Sequence, residues 1–220
     1  MINLKGIEQP SAIESLQRIY DRDLECQAKL SYWFKFLNEA NIKRLKLLKT
    51  EIISVYMEIV GIFYDEISLD GNNIIKDFVE TEIVPIIDRF PSEFIFCKNG
   101  CFSNKFNFKT CVATRDTVLY SFKAIQTASA ILDTQGMSEF VIRELIEHNE
   151  ENVATIYNGM PLVPEARVFY DFDEHKLLYS VNYWDYDYVM PHLYSRTNKI
   201  VFSEISNEIQ KKFQEEKQSI

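Results

Sequence analysis

Apolar and polar positions recur with two different periods along this chain. Over the first third the step is three to four residues. A segment from Pro10-Ser11 to about Ile19 opens on capping residues and carries Glu14 in its first turn, which predicts a helix. A second helix is predicted from about Leu24 to Leu37, and a third from about Asn41 to Ile67. In the third, Leu45, Leu48, Ile52, Tyr56, Ile59 and Phe63 fall on one stripe. Asp70-Gly71-Asn72-Asn73 is expected to break it. A shorter helix follows from Ile74 to about Val84, with Pro85 as its exit or a kink.

Beyond residue 92 the period changes. Phe94 to Cys97 reads as a strand ending on Lys98, and a small-residue loop, Gly100 to Lys105, follows. Asp116 to Leu132 predicts an amphipathic helix, and Glu139 to Ile146 ("EFVIRELI") a strand. A polar stretch with "NGMP" comes next, and then "ARVFYDF" and "KLLYSVNYW" flank Asp173-Glu174-His175 as a β-hairpin. From Ser203 the chain reads as a charged helix. The expected fold is α+β, with a mainly helical region over 1–90 and a mixed region over 91–220, divided near Pro91.

Composition narrows the function classes. The 220 residues are 46% hydrophobic and 26% charged, with 6 Gly and 6 Pro, which is a globular make-up. A net charge of −9 disfavours broad nucleic-acid binding. No stretch approaches the roughly 20 apolar residues that span a bilayer, and MINLKGIEQP has no signal-peptide core. A soluble cytoplasmic protein is expected. Cys26, Cys97, Cys101 and Cys111 have no zinc-ligand spacing with one another or with His148, His175 and His192, and read as free thiols of a reducing compartment. Lys43-Arg44, Lys46 and Lys49 read as a solvated helix face, and "YSVNYWDYDY" as a hairpin packing a core.

The polar residues set in apolar frames are Lys98, Lys105, Arg143, Glu144, Glu165 and Arg167. A lysine is costly to bury, so one at a strand end beside a small-residue loop suggests a held anion; a solvated strand end is the plainer alternative. Glu165 and Arg167 stand two apart, on one face of a strand. They can pair with each other, or face a nucleotide with the acid on ribose hydroxyls and the arginine on phosphates.

The order of strand-Lys98, loop with Ser103 and Lys105, helix, "FVIRELI", then "IYNGMPLVPEARVFYDFDEHKLLYSVNYW" resembles the ATP-grasp superfamily over about residues 92 to 190. It is most similar to bacterial and phage ATP-grasp proteins. The resemblance implies ATP held between two α+β subdomains, with Mg2+, and ligation of a carboxylate to an amine or similar nucleophile through an acyl-phosphate. It implies that Lys98 contacts the phosphates, and that Gly100 to Lys105 is a mobile lid whose Ser103 and Lys105 reach the triphosphate. Glu144, Leu145 and Ile146 would form the adenine hinge, Glu165 would take the ribose, and Arg167 would stabilise the transferred phosphoryl group. Arg167 and Lys105 are then the catalytic pair. The departure lies in the metal ligands, an acid and a Glu-x-Asn-like pair expected on strands after the hairpin. Asp185, Asp187, Glu204 and Asn207 follow in what reads as a helix, Asp171 and Asp173 read as turn residues, and the metal-binding portion is expected to be missing. The alternative function is a non-catalytic nucleotide-binding or interaction protein.

Overall fold

The computed structural model describes residues 11–39, 46–64, 71–146, 155–161, 163, 165–171, 174 and 176–182. The chain divides into two compact units: Met1–Phe34 with Leu48–Ile146, and Lys35–Leu47 with Glu147–Ile220.

In the first unit, α1 (Ala12–Leu24) starts where its cap predicts. The Ser11 hydroxyl accepts from Glu14 N–H at 3.2 Å, and the Glu14 carboxylate accepts from Ser11 N–H at 2.8 Å. The helix runs past Ile19 to Leu24. The second helix, α2 (Leu30–Glu39), therefore begins later than expected, because residues 26–29 turn.

The long helix predicted over 41–67 is corrected most. Thr50–Ser54 is a strand, β1, and among the described residues of that span only Met57–Tyr64 is helical, as α3. The leucine-rich stripe matches a helical period, yet Thr50, Ile52, Ile53 and Val55 are β-branched and lose less side-chain freedom in a strand. Ile53 and Val55 are buried there. The next helix starts three residues earlier than expected, at Gly71: α4 (Gly71–Phe78) runs through a π-helical turn (Val79–Ile83) into α5 (Val84–Ile87). The cause is Pro85, which has no N–H for the Thr81 carbonyl and whose ring would strike it. Widening the turn removes the clash, and Val84 N–H bonds the Val79 carbonyl.

The central sheet adds β2 (Ile95–Asn99), β3 (Val112–Ala113) and β4 (Glu139–Glu144) in the order β1-β4-β2-β3, with every neighbour antiparallel. The helix α6 (Val118–Ile131) precedes β4. One sheet face gives Ile53, Ile95, Cys97, Phe140 and Ile142 to a core completed by Phe78, Val79, Ile83, Val118 and Ile125. Phe122 sits at its centre, with ring centroids 5.0 Å from Phe140, 5.6 Å from Phe78 and 5.8 Å from Phe63.

The second unit carries two hairpins. β5 (Thr155–Ile156) and β6 (Met160–Pro161) are joined by Tyr157, Asn158 and Gly159 at φ of 48°, 61° and 106°. The polar "NGMP" stretch is thus a tight turn. β7 (Ala166–Asp171) and β8 (Lys176–Asn182) form the predicted hairpin, with Phe169 stacked on Tyr179 at 4.5 Å. The protein is α+β. Among the described residues no helix is long and apolar enough to cross a membrane. The expected C-terminal helix, with Asp185, Asp187, Glu204 and Asn207, lies outside the described residues.

Candidate functional site

Strand alternation explains why Lys98 follows so apolar a run. Ile95, Cys97 and Asn99 of β2 point to the core, while Phe96 and Lys98 are half-buried on the opposite face. In antiparallel pairing, residues directly opposite share a face. Lys98 lies opposite Val141, and Phe96 opposite Arg143, which also stands opposite Thr50 of β1. Lys98 and Arg143 are therefore diagonal neighbours on one face, a spacing of about 7–8 Å between Cα atoms. Val141 beside them is fully buried, so the cations stand in a low-water setting.

Two desolvated cations so close raise each other's energy. Burial first, and then the Arg143 charge, pull the Lys98 pKa down from 10.5 to about 8; Cys101 opposes them, Lys105 adds a smaller push and Glu139 a smaller opposing pull. Burial also lowers the Arg143 pKa. Arg143 Nε donates to Thr50 Oγ1 at 3.3 Å. Among the described residues the Lys98 ammonium has no hydrogen-bonding or ion-pair partner.

The carboxylate on this face is committed elsewhere. Glu139 is buried and ion-paired to the buried Lys29 at 3.4 Å, and it accepts from the Ser31 hydroxyl and the Ser31 N–H. Lys29 Nζ also donates to Ser138 Oγ at 3.2 Å. Beside this pair, buried Asp23 receives Gly136 N–H and Ser138 N–H, the latter at 2.7 Å. Lys29 pairs with Glu139 and backbone amides hold Asp23, so neither carboxylate is bonded to Lys98 or Arg143.

The loop expected to be a lid divides in two. Its first half is pinned: Gly100 N–H bonds the Gly136 and Glu139 carbonyls at 2.9 and 3.1 Å, and Gly100 O accepts from Leu30 N–H. Asn99, anchored on Ser129 Oγ at 2.6 Å, accepts from Cys101 and Phe102 N–H. A side chain at Gly100 would come within 2.9 Å of Glu139 Oε2. Lid motion can therefore begin only beyond Phe102, with Ser103 and the 3-10 turn Lys105–Thr110, whose Phe108 ring lies 6.0 Å from Phe96. Lys105 N–H bonds Ser103 O at 2.7 Å, and Lys105 contributes to the charge felt by Lys98.

The expected hinge is partly occupied. Glu144 ends β4 on the core side of the sheet, where its N–H bonds Lys49 O at 2.9 Å and its carboxylate accepts from Lys49 N–H at 3.4 Å. Leu145 and Ile146 follow the strand, with Ile146 exposed. Lys49 is no helix-face lysine: it donates to the Arg89 carbonyl and lies 4.6 Å over the Phe90 ring. In the second unit, Glu165 precedes β7 and Arg167 lies opposite Val181. Asp171 accepts from Glu174 N–H at 3.0 Å, as a turn residue should. Among the described residues no three His, Cys, Asp or Glu gather to hold a metal.

The structure thus brings the Lys105 charge within reach of Lys98, with Ser103 bonded to the Lys105 backbone, and adds Arg143, to which sequence reasoning gave no role. The signal was a lone cation inside "FVIRELI" on the face opposite Phe140 and Ile142. The chain matches no family model, no curated protein and no solved structure.

Proposed function

We propose that the Lys98–Arg143 face binds the phosphates of a nucleotide, and that this is an ATP-binding protein of the ATP-grasp type that activates a carboxylate for attack by an amine or similar nucleophile. One observation carries the reading: two desolvated cations share a sheet face, and the nearby Glu139 is already held by Lys29. A multiply charged anion relieves that repulsion, and hydrogen bonds from charged donors suit phosphate oxygens. Lys105 and Ser103, at the start of the 3-10 turn, are the additional contacts.

In the proposed reaction a substrate carboxylate oxygen attacks the γ-phosphorus of ATP, giving an acyl-phosphate and ADP. The nucleophile then attacks the acyl carbon and releases phosphate. Positioning and charge neutralisation dominate such transfer. Magnesium, which the resemblance implies, would supply further charge neutralisation; among the described residues no three His, Cys, Asp or Glu gather to hold it. Glu165 on ribose and Arg167 on the transferred group rest on the resemblance alone.

Titration calorimetry with ATP, ADP and pyrophosphate tests the anion site. Lys98→Ala and Arg143→Ala should each cost about 1.5–3 kcal/mol of binding. Unchanged affinity in both, with folds intact, would refute it. Phosphate release over a panel of carboxylates and amines then separates a ligase from a protein that binds nucleotide without turnover.

A further inference from the structure

The turn after α1 sets Cys26 against Cys101, the residue just past the Gly100 corner. Their sulfurs lie 3.7 Å apart across 75 residues of sequence, and both side chains are half-buried. Each backbone is held from its own side. Cys26 N–H bonds the Asp23 carbonyl, and Cys26 O accepts from Lys29 N–H. Cys101 N–H donates to Asn99 Oδ1 at 3.1 Å. The other two thiols, Cys97 and Cys111, are fully buried.

We propose that Cys26 and Cys101 are a redox-sensitive pair that closes into a reversible disulfide, clasping the α1–α2 turn to the end of the strand that carries Lys98. A disulfide needs a sulfur separation of about 2.05 Å, so the two sulfurs must close by about 1.7 Å from their 3.7 Å contact. The oxidant is a low-molecular-weight disulfide of the glutathione class. The Cys26 thiolate attacks one of its sulfurs, the reagent's S–S bond breaks, and one thiol leaves with the electron pair and takes up a proton. Cys101 then loses its proton and attacks the Cys26 sulfur, expelling the second thiol. Two protein thiols are oxidised and one small disulfide is reduced to two thiols.

The order follows from the surroundings. Burial, the hydrogen bond to Cys26 and the Asp23 charge hold the Cys101 thiol protonated, with its pKa pushed up to about 12. Cys101 is therefore the poorer first nucleophile. Once Cys26 is in the mixed disulfide, its hydrogen bond no longer helps to hold that proton. Because the clasp joins segments already packed together, it tightens the Gly100 corner whether or not Lys98 binds an anion.

The test uses the reduced full chain, incubated with millimolar glutathione disulfide at mildly alkaline pH and then denatured for thiol counting. Free thiols should fall from four to two, with peptide mapping joining Cys26 to Cys101 and dithiothreitol reversing it. Cys26→Ser and Cys101→Ser should each abolish the cross-link. Amide exchange at Gly100, Cys101 and Phe102 should slow about tenfold or more in the oxidised protein. Four remaining thiols, a glutathione adduct that does not close, another pairing, or unchanged exchange at the corner would each overturn the proposal.

Discussion

Replacing Lys98 by methionine keeps an unbranched apolar stem on β2 and deletes the ammonium. In the ligand-free protein that ammonium is a cost, because burial, Arg143 and Lys105 bring its pKa from 10.5 to about 8. At about 1.4 kcal/mol per pH unit, the drop corresponds to an upper figure of about 3 kcal/mol. Water reaching the half-buried side chain reduces it. The unfolded lysine keeps its proton to about pH 10.5, while the folded one releases it near pH 8. Between those values the unfolded chain binds more protons, so native stability rises with pH. The penalty is present in full below about pH 8 and gone above about pH 10.5. Lys98→Met should therefore stabilise the free protein by up to about 3 kcal/mol near neutral pH, and the advantage should vanish across that window. Urea unfolding of both proteins over the range measures the difference, in which titrations common to both cancel. Saturating pyrophosphate should narrow the difference, since the anion binds the lysine protein more tightly and stabilises it more. Wild-type pyrophosphate affinity should fall as pH rises through about 8. A Lys98→Met protein that is destabilised at neutral pH, with a difference that does not change with pH, would show that the ammonium is already compensated and refute the reasoning.

Three further outcomes are expected. Removing one partner of the buried Lys29–Glu139 pair, by Lys29→Met or Glu139→Gln, should cost about 3–5 kcal/mol in chemical denaturation, and the double variant should recover part of the loss. Equal and additive losses would count against a coupled pair. Gly136→Ala should lower the melting temperature sharply, because φ is 95° there and a Cβ would stand 2.3 Å from Cys101 N; a neutral variant would mean the Gly100 corner can shift freely. In limited proteolysis of the free protein, cleavage near the loop should fall at residues 103–109 and spare 100–102, whose amides are bonded; preferred cutting at Gly100 or Cys101 would contradict the pinned corner.

Local signals in the sequence located β2, α6, β4 and the β7–β8 hairpin, because two-residue alternation, capping and turn residues act within a few positions. The lysine at the end of β2 was legible for the same reason. β1 was hidden because Leu48, Ile52 and Ile59 mimic a helical stripe across what is a loop, a strand and a helix. Only pairing with β4, some 90 residues on, decides the matter. Arg143 became a site residue through register: it stands beside Lys98 only once β4 and β2 are paired. The Asp23, Lys29 and Glu139 network is also closed by contacts more than 100 residues apart in sequence, beyond any local pattern. The pinned half of the Gly100 loop is the same case, since its small polar composition suggests mobility while distant Leu30, Gly136 and Glu139 supply anchors that no local pattern shows.

The wide turn before Pro85 has a consequence for how long this helix can be. Ile75, Val79, Ile83 and Ile87 are buried in the core at steps of four. In a regular α-helix each such step would carry the contact line about 40° further around the axis, and by Ile87 it would have left the sheet. The extra residue in the π-helical turn cancels much of that drift and keeps the line in phase. Deleting one residue from Val79–Ile83 as the turn closes would leave the later residues in phase, but closing the turn to an ordinary pitch at its present length would rotate everything after it by about 100°. Ile87 would leave the core, and Asp88, whose carboxylate holds Arg115 at 2.8 and 2.9 Å, would swing away with it. The length of this segment is set by angle rather than by the distance it must cover.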